Sequence, residues 1–244
     1  MNKLAEIRYA LSGLSETERK DVIAWLERFN ERAYGADRVE EPRTAYGEFF
    51  SEYVNPEYMT REEFLDFQEQ NFTAYEYVNG IIRAMSGPSV AHCLITQNIH
   101  RVLDAHLRRG PCQSFCTGGE VNLTLGDDEI VYHPDVYVSC DRSVWDPRWI
   151  PNPKFIVEVL APSTQQIDRR EKAANYRRVE SLDEYVVASQ KRPEVTIYRR
   201  ADHWRPDVAV GPRAVVEFRS FGLSVPLAEI YEGVVFPAAP TTEA

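Results

Sequence analysis

The sequence predicts an α/β (α+β) protein in which helices flank one mixed sheet, with a small helical extension at the N-terminus. Predicted helices at 90–108 and 168–179 alternate with segments that have the character of strands. The run FIVEVL at 155–160 is apolar almost throughout, which is typical of a strand buried on both faces. The 244 residues, 43% hydrophobic and 27% charged, have an ordinary globular composition, which excludes wholesale disorder.

The front of the chain is predicted to be helical. Ser15 and Glu18 have the spacing of a capping box, which opens the second of two helices. Residues 34–58 lose the helical period and carry two glycines and two prolines, which indicates a linker. We therefore expect a helical extension and linker over residues 1–50. Its inward residues are Leu4, Ile7, Leu11, Leu14, Val22, Ile23, Trp25, Leu26 and Phe29.

A short helix, a hairpin and a longer helix are predicted next. Thr60 and Glu63 form another capping box, for a helix through about residue 67. Asn79-Gly80 suits a type I′ turn and predicts a hairpin of residues 75–78 and 81–85. Gly110-Pro111 ends the helix at 90–108, whose inward residues are Leu94, Ile95, Ile99, Val102 and Leu103.

The second half is predicted to be rich in strands. Residues 120–125 and 129–140 alternate in polarity, with Pro134 interrupting the second strand, and a loop follows at 142–153. Asp168 and Glu171 are predicted to cap a helix through about residue 179. Further strands are predicted at 184–188, 194–198 and 214–218. We expect one domain over 56–236 and a flexible tail at 237–244.

Charge and cysteine content limit the class of protein. A formal net charge of −10 argues against unspecific nucleic-acid binding, although residues 165–205 carry 10 Lys/Arg against 7 Asp/Glu. No apolar run approaches the roughly 20 residues of a membrane-spanning helix, and no signal-peptide pattern opens the chain. Four cysteines without a secretory signal predict free thiols in a reducing compartment, so we expect a cytoplasmic protein.

Glu158 is the most informative residue for function. It places a carboxylate inside the predicted buried strand, where a charge must be paired, protonated or bound to metal. An arginine partner, or an exposed edge strand, would also explain it. Asp135 follows Pro134, where a break in the strand could aim its side chain into a cleft; a plain Pro-Asp turn is the alternative. Carboxylates on neighbouring strands repel unless a hard cation such as Mg²⁺ lies between them.

Lys172 and Tyr176 lie one turn apart on the helix predicted after Glu158. A helix packed over the sheet could bring the Lys172 ammonium near both carboxylates, where it would polarise a water or stabilise charge on a phosphoryl oxygen. A solvated helix lysine is the alternative. Arg169 and Arg170, on the same helix, are candidates for phosphate contact or members of a solvated charged face.

Other chemistries find less support in the sequence. Cys112 and Cys116 form one spaced pair, whereas a structural zinc site needs four ligands. The chain has no phosphate-binding loop, no dinucleotide-binding glycine motif and no Gly-x-Ser-x-Gly nucleophile motif. Ser86 and Ser89, near His92, are interpreted as a turn residue and a helix cap.

An ordered series of motifs runs from about Met59 to Val234. The series comprises Met59-Thr60, Glu63-Phe64, Tyr75-Glu76, Gly80, Ser86-Gly87-Pro88-Ser89, His92, His133-Pro134-Asp135-Val136, Val157-Glu158-Val159-Leu160-Ala161-Pro162-Ser163-Thr164, Asp168, Glu171-Lys172, Tyr176, Leu182 and Glu184-Tyr185. A Pro-Asp pair alone carries little information, but the ordered series is specific. With it the chain resembles the Uma family of restriction-endonuclease-like proteins, within the PD-(D/E)XK nuclease superfamily.

The resemblance implies a restriction-endonuclease-like, nuclease domain over 56–236, with Asp135 and Glu158 as metal ligands. The superfamily usually places a lysine two residues after the acid, where this chain has Leu160. The family pattern moves that lysine to the following helix, which matches Lys172. Such a migration is chemically tolerable because the position of the ammonium in space matters, and not the element that carries it.

Further positions of the family pattern surround the implied centre. Glu76 and His92 match it and, with Tyr176, are expected to line the cleft; His92 could equally be a polar residue near the start of its helix. The chain departs from the pattern at His133, where the family often has arginine, and at Ser189-Gln190, where it often has aspartate. Neither departure removes an implied catalytic group.

Residues and resemblance together predict a Mg²⁺- or Mn²⁺-dependent DNA endonuclease, expected to act as a homodimer. The implied products carry 5′-phosphate and 3′-hydroxyl ends. The alternative is a non-cleaving protein that binds nucleic acid or a partner through a nuclease fold, and RNA or branched DNA as substrate would use the same residues. The sequence identifies neither a recognition site nor a methyltransferase partner.

Overall fold

A computed structural model describes residues 59–236, apart from 72, 86, 117–118, 146–151 and 162–166, together with the single positions 15, 20 and 22. The chain divides into two compact units, Met1–Val54 and Asn55–Ala244. The predicted front helices and linker, Ser86, half of the predicted loop at 142–153, residues 162–166 and the predicted tail lie outside the described residues. The following account concerns the second unit.

The first elements of this unit agree with the sequence. Helix α1 (Arg61–Gln70) begins after Thr60, whose side chain accepts from the Glu63 N–H while Glu63 bonds back to Thr60, the predicted capping box. Strands β1 (Tyr75–Val78) and β2 (Ile81–Ala84) form the predicted hairpin. Its turn needs positive φ at Asn79 (50°) and Gly80 (94°), which these two residue types adopt at low cost.

The remaining elements follow in chain order. They are α2 (Val90–Leu107), β3 (Gln113–Cys116), β4 (Val121–Leu125), β5 (Asp128–Tyr132), β6 (Val136–Ser139), β7 (Phe155–Leu160), a π-helical turn (Asp168–Lys172), α3 (Ala173–Tyr176), β8 (Glu184–Ser189), β9 (Glu194–Arg199), β10 (Pro206–Val210), β11 (Val215–Phe218), β12 (Leu223–Pro226) and α4 (Leu227–Ile230). The predicted helix at 90–108 and the predicted strands at 120–125, 155–160, 184–188, 194–198 and 214–218 are confirmed. The prediction missed β3, β10 and β12.

The predicted α/β (α+β) fold with a mixed sheet is confirmed, and the strands of the described part of the chain form two further sheets beside it. Six strands make a mixed sheet in the order β10-β9-β8-β7-β6-β3, in which β7 and β8 are parallel and the other pairs antiparallel. Four strands make an antiparallel sheet in the order β2-β1-β5-β4. Strands β11 and β12 pair separately.

The predicted single strand at 129–140 is two strands in two different sheets. Strand β5 ends at Tyr132 in the four-stranded sheet, and β6 begins at Val136 in the six-stranded sheet. Pro134 lies between them, since proline cannot donate to a continuing ladder. The break predicted there is confirmed, and it leaves Asp135 directly in front of β6.

The six-stranded sheet is covered on both faces. One face packs on α2, α4 and the β11–β12 pair, in a cluster that includes Ile95, Val157 and Phe218. The other face packs on α3 and the four-stranded sheet, in a cluster that includes Ile156 and Tyr176. All six residues of β7 are buried as a result, which is why its sequence reads as a continuous apolar run.

The prediction of four free thiols is wrong. Cys112 and Cys140 form a disulfide, directly beyond the Gln113–Ser139 pair of β3 and β6. Cys93 and Cys116 remain as half-buried thiols. Because Cys112 is bonded to Cys140, it cannot join Cys116 in a zinc site. Within residues 59–236 as described, no helix is long and apolar enough to cross a membrane.

Candidate active site

Asp135 and Glu158 lie side by side at the edge between β6 and β7. The register pairs Val136 with Val157, and Asp135 and Glu158 are the next residues beyond this last pair. The Asp135 Oδ2 atom accepts from the Val159 backbone N–H at 2.7 Å, which ties the aspartate to β7. Glu158 is only 4% exposed, on the face of β7 that α3 covers. The predicted proximity of two carboxylates on neighbouring strands is therefore present.

Lys172 provides the counter-charge of this carboxylate pair. Its Nζ donates to Glu158 Oε1 at 3.0 Å and lies 2.6 Å from Glu76 Oε1 and 3.3 Å from Asp168 Oδ1. It is 4% exposed, so the interpretation as a solvated helix lysine is wrong. Glu76 comes from β1, so the four-stranded sheet supplies part of the centre. Of the two predicted metal ligands, Lys172 contacts Glu158 and not Asp135.

The turn that carries Lys172 differs from the predicted capped helix. Residues Asp168–Lys172 are π-helical, with the Ala173 N–H bonded to the Asp168 carbonyl, and no side chain caps the start of the turn. Asp168 is 2% exposed and faces Lys172, while Glu171 binds Arg83 through two hydrogen bonds of 2.7 and 2.8 Å. The capping prediction is thus wrong: no side chain caps the turn, and both acids contact basic side chains instead. Isolated π turns are frequent at functional sites.

Aromatic hydroxyls complete the surroundings of Glu158. The Tyr176 hydroxyl donates to Glu158 Oε1 at 3.0 Å. The Tyr132 hydroxyl donates to Glu171 Oε1 at 3.1 Å and accepts from Asn175 at 2.8 Å, while its ring lies 5.4 Å from Lys172 Nζ. Tyr176 is fully buried, so it holds Glu158 from within the core instead of lining an open cleft.

Burial and charge shift the acidity of this cluster in identifiable directions. Burial raises the pKa of Glu158 well above its ordinary value, against the opposing effect of the Lys172 ammonium. Burial also raises the pKa of Glu76, again opposed by Lys172. Burial alone would lower the pKa of Lys172, but Glu158, Glu76 and Asp168 outweigh it and hold that pKa well above its ordinary range. Lys172 is therefore an ammonium, a donor without a lone pair.

His92 reaches the same centre from the start of α2. Its Nε2 atom lies 3.1 Å from Asp135 Oδ1, and its backbone N–H is capped by the Ser89 hydroxyl, as predicted for that serine. The imidazole thus lies beside Asp135, a predicted metal ligand. His92 is also a polar residue near the start of its helix, as the alternative stated, but that alternative did not include the contact with Asp135. The Ser89 hydroxyl also lies 2.5 Å from Gln190 Oε1, at the end of β8.

Three arginines of the predicted basic stretch contact other parts of the fold. Arg178 binds Asp128 and the Leu125 carbonyl, Arg200 binds the Val179 and Leu182 carbonyls, and Arg199 is buried against Glu184. Arg169 and Arg170, the two predicted phosphate contacts, are exposed on the π turn, and Arg169 lies 3.8 Å from Glu194. These two remain candidates because their turn also carries Lys172.

The sequence missed Asp168 as a partner of Lys172 and the Arg83–Glu171 pair beside it. Asp168 and Lys172 are four residues apart, a spacing that allows an ion pair on a helix, so this contact had a signal in the sequence. Arg83 and Glu171 are 88 positions apart, and no local pattern indicates their contact.

The donor set of the site fits a hard divalent cation. Asp135 and Glu158 offer carboxylate oxygens, and Mg²⁺ is commonly bound by one or two carboxylates, with waters and substrate phosphate completing its coordination. No group of three or more His, Cys, Asp or Glu residues arranged to hold a metal occurs within the described positions. An all-protein site of the zinc type is therefore not formed by these residues.

Comparison with known proteins gives consistent matches. A family model described as "Uma2: Putative restriction endonuclease" matches residues 61–228. Two uncharacterised proteins of Synechocystis sp. are similar to this chain. The protein slr1290 is 30% identical over 183 residues, which cover 73% of this chain and 94% of slr1290. The protein sll1609 is 27% identical over 165 residues, which cover 66% of this chain and 92% of sll1609. A crystal structure from Anabaena variabilis, described as "a putative nuclease belonging to DUF820", has the same fold, with a TM-score of 0.61 and 20% identity over 72% of this chain and 99% of that one.

Proposed function

Because the chain belongs to the Uma2 family, described as "Putative restriction endonuclease", we propose that it is a divalent-metal-dependent endonuclease that hydrolyses phosphodiester bonds of DNA. The observation that carries the proposal is the position of Asp135 beside β7, where its Oδ2 accepts from the N–H of Val159, next to Glu158, with the Lys172 ammonium 3.0 Å from Glu158. Two carboxylates can hold a divalent cation, and a fixed ammonium can stabilise negative charge that develops on a phosphate.

Asp135 and Glu158 would hold the cation, Mg²⁺ or Mn²⁺. When bound, such a cation lowers the pKa of a coordinated water and neutralises charge on the scissile phosphate. The chain prepares the two ligands before any cation binds. Val159 N–H fixes Asp135, and Lys172 and Tyr176 both donate to Glu158 Oε1, so neither carboxylate has to be ordered at the moment of binding.

Lys172 would supply a fixed positive charge beside the scissile phosphate. An ammonium held by Glu158, Glu76 and Asp168 has no free lone pair, so stabilisation of developing negative charge is its role, and deprotonation of water is not. Arg169 and Arg170, exposed on the same turn, would contact flanking phosphates. The nuclease-like domain at 56–236, the homodimer, the cytoplasmic location and the 5′-phosphate products remain predictions.

The proposal is tested by nicking of supercoiled plasmid DNA with purified protein in Mg²⁺, in Mn²⁺ and in EDTA. We expect cleavage in either metal, none in EDTA, and a loss of about 10²-fold or more in Lys172→Ala and in Asp135→Asn. Lys191→Ala, a change at an exposed lysine, is the matched control and should cleave as the parent does. Circular dichroism shows whether each variant folds, and Asp135→Asn preserves the test should Lys172→Ala unfold. Cleavage that survives in EDTA or in both variants would contradict the proposal.

The burial of Glu158 and Lys172, each 4% exposed, favours a second candidate: a protein that binds nucleic acid or a partner through a nuclease fold without cutting. Measuring both cleavage and affinity for a DNA duplex distinguishes the nuclease from the non-cleaving binding protein. A nuclease loses cleavage in Asp135→Asn but keeps its affinity for DNA, whereas a protein that only binds shows no cleavage in any metal and retains the same affinity in both forms.

A further inference from the structure

His92 and Asp135 form a contact that reaches the surface, unlike the rest of the centre. The His92 Nε2 and Asp135 Oδ1 atoms are 3.1 Å apart, and the two side chains are 14% and 13% exposed. Glu158 and Lys172 are far more enclosed, with side chains 5% exposed. A ligand that enters the site from solvent therefore meets Asp135 and His92 before it meets Glu158.

The imidazole is held in place by the way that α2 begins. The Ser89 hydroxyl caps the helix through the His92 N–H at 3.1 Å and lies 2.5 Å from Gln190 Oε1. The Gln190 amide in turn donates to the Leu160 carbonyl at 2.9 Å. The first turn of α2 is thus connected to the ends of β7 and β8, and His92 is presented to Asp135 from a fixed position.

Asp135 is consequently held at both oxygens. Val159 N–H donates to Oδ2 at 2.7 Å from the strand side, and His92 Nε2 faces Oδ1 from the helix side. Each carboxylate oxygen has two lone pairs, so one contact on each leaves capacity for a cation. Two contacts from opposite sides fix the side-chain torsions, which removes the entropy that a free carboxylate would lose when it binds a metal.

We propose that His92 is a positioning residue that holds Asp135 in the orientation that binds the divalent cation. This inference rests on the proposed function, because it concerns the cation assigned to Asp135 and Glu158. His92 acts through Asp135 and needs no contact with the substrate. Contacts that orient a metal ligand typically contribute 10- to 100-fold in metal affinity, so the loss of the imidazole should be measurable without DNA.

The test is calorimetric titration of Mn²⁺ into the full chain, with no nucleic acid present. We expect the Kd for Mn²⁺ to rise about tenfold or more in His92→Ala. His92→Gln places an amide nitrogen near the position of Nε2 and should recover most of the affinity, whereas the shorter side chain of His92→Asn should not. His100→Ala, on the same helix and away from the contact with Asp135, is the matched control and should leave the Kd unchanged.

The outcomes separate the two proposals. If Asp135→Asn abolishes Mn²⁺ binding while His92→Ala, His92→Gln and His92→Asn all bind as the parent does, the positioning role is wrong and the metal site stands. If the parent chain itself binds no Mn²⁺, both the metal site and the positioning role are wrong. Should His92→Ala fail to fold, equal affinities of the glutamine and asparagine variants would still contradict the proposal.

Discussion

Lys172 lies among three buried carboxylates, those of Glu76, Glu158 and Asp168. One ammonium cannot neutralise three ionised acids, and buried charges that are not compensated are costly. The raised pKa values of Glu76 and Glu158 are the consequence, because burial favours their neutral forms. The centre therefore has a deficit of positive charge, which a divalent cation at Asp135 and Glu158 would reduce.

The substitution Glu76→Gln should change how the free energy of unfolding depends on pH. Because the pKa of Glu76 is raised above its ordinary value of 4.5 in the folded state, by burial and against Lys172, the folded chain binds more protons than the unfolded chain above pH 4.5. The contribution of Glu76 to the free energy of unfolding is then fully present below pH 4.5 and is lost as pH rises through the folded pKa. Relative to the parent, Glu76→Gln should become more stable between pH 4.5 and neutrality.

Urea unfolding in EDTA across that pH interval measures the difference. Glu62→Gln, at an exposed position on α1, controls for the loss of one carboxylate. A parent chain that gains stability over Glu76→Gln as pH rises would show that Lys172 outweighs burial, contrary to the expectation.

At the same scale, the sequence located Glu158 and indicated Lys172 as a group that could lie beside it. The cost of a carboxylate in FIVEVL indicated that Glu158 must be paired or bound to metal, and the structure pairs it with Lys172 and not with an arginine. Asp168 was predicted as a helix cap because capping residues and buried ion-pair partners are the same residue types. Asp168 lies in a π-helical turn and not at a capped helix start, and no sequence pattern predicted that turn.

At the scale of elements, β6 depends on a close approach of Gly119. A Cβ atom added at Gly119 would lie 1.9 Å from the Tyr137 hydroxyl and 2.8 Å from the ring carbon that carries it. Tyr137 is 1% exposed and stacks on Phe115 with the ring centroids 5.1 Å apart, so it has little room to move. Position 119 therefore requires glycine, because any larger side chain would clash with Tyr137.

Gly119→Ala should lower the free energy of unfolding by about 1–3 kcal/mol, the usual cost of overpacking a buried site. Gly87→Ala is the matched control, since nothing lies within 4 Å of its added Cβ, and it should change stability by less than about 0.5 kcal/mol. Chemical denaturation measures both. Introducing Gly119→Ala into a Tyr137→Phe background should cost less than in the parent, and an equal cost in both backgrounds would refute the steric explanation.

The sequence predicted elements where one pattern dominates. The Asn79-Gly80 hairpin and the buried strand β7 have strong local signals, and both are present. Strand β10 opens with Pro206 and is mostly exposed at the edge of its sheet, so neither composition nor alternation marked it. The division of 129–140 between two sheets follows from contacts with partners distant in sequence, which alternation along one segment does not encode.

At the scale of the whole molecule, charge and cysteine counts were the weakest guides. The basic stretch at 165–205 suggested a phosphate-binding surface, yet Arg178, Arg199 and Arg200 are engaged in contacts that join elements of the fold. Similarly, spacing alone does not determine cysteine pairing, and Cys112 bonds Cys140 at a separation of 28 residues. The cysteine error arises because a count does not say which side chains are neighbours, whereas phosphate contact by Arg169 and Arg170 stays a prediction.

The domain boundary gives the last prediction. The family model begins at residue 61, and every buried core residue in the described part of the chain lies at or after Phe64. A chain that starts at Asn55, the first residue of the second compact unit, should therefore retain both hydrophobic clusters and the site. We expect it to unfold within about 4 °C of the full chain, equivalent to about 1 kcal/mol for a domain of this size, and to nick plasmid DNA at a comparable rate. Differential scanning calorimetry and the nicking assay measure the two quantities. A fall in Tm of 10 °C or more, or a loss of cleavage with the fold intact, would show that residues 1–54 contribute to the nuclease unit, because truncation would then have removed contacts or groups on which it depends.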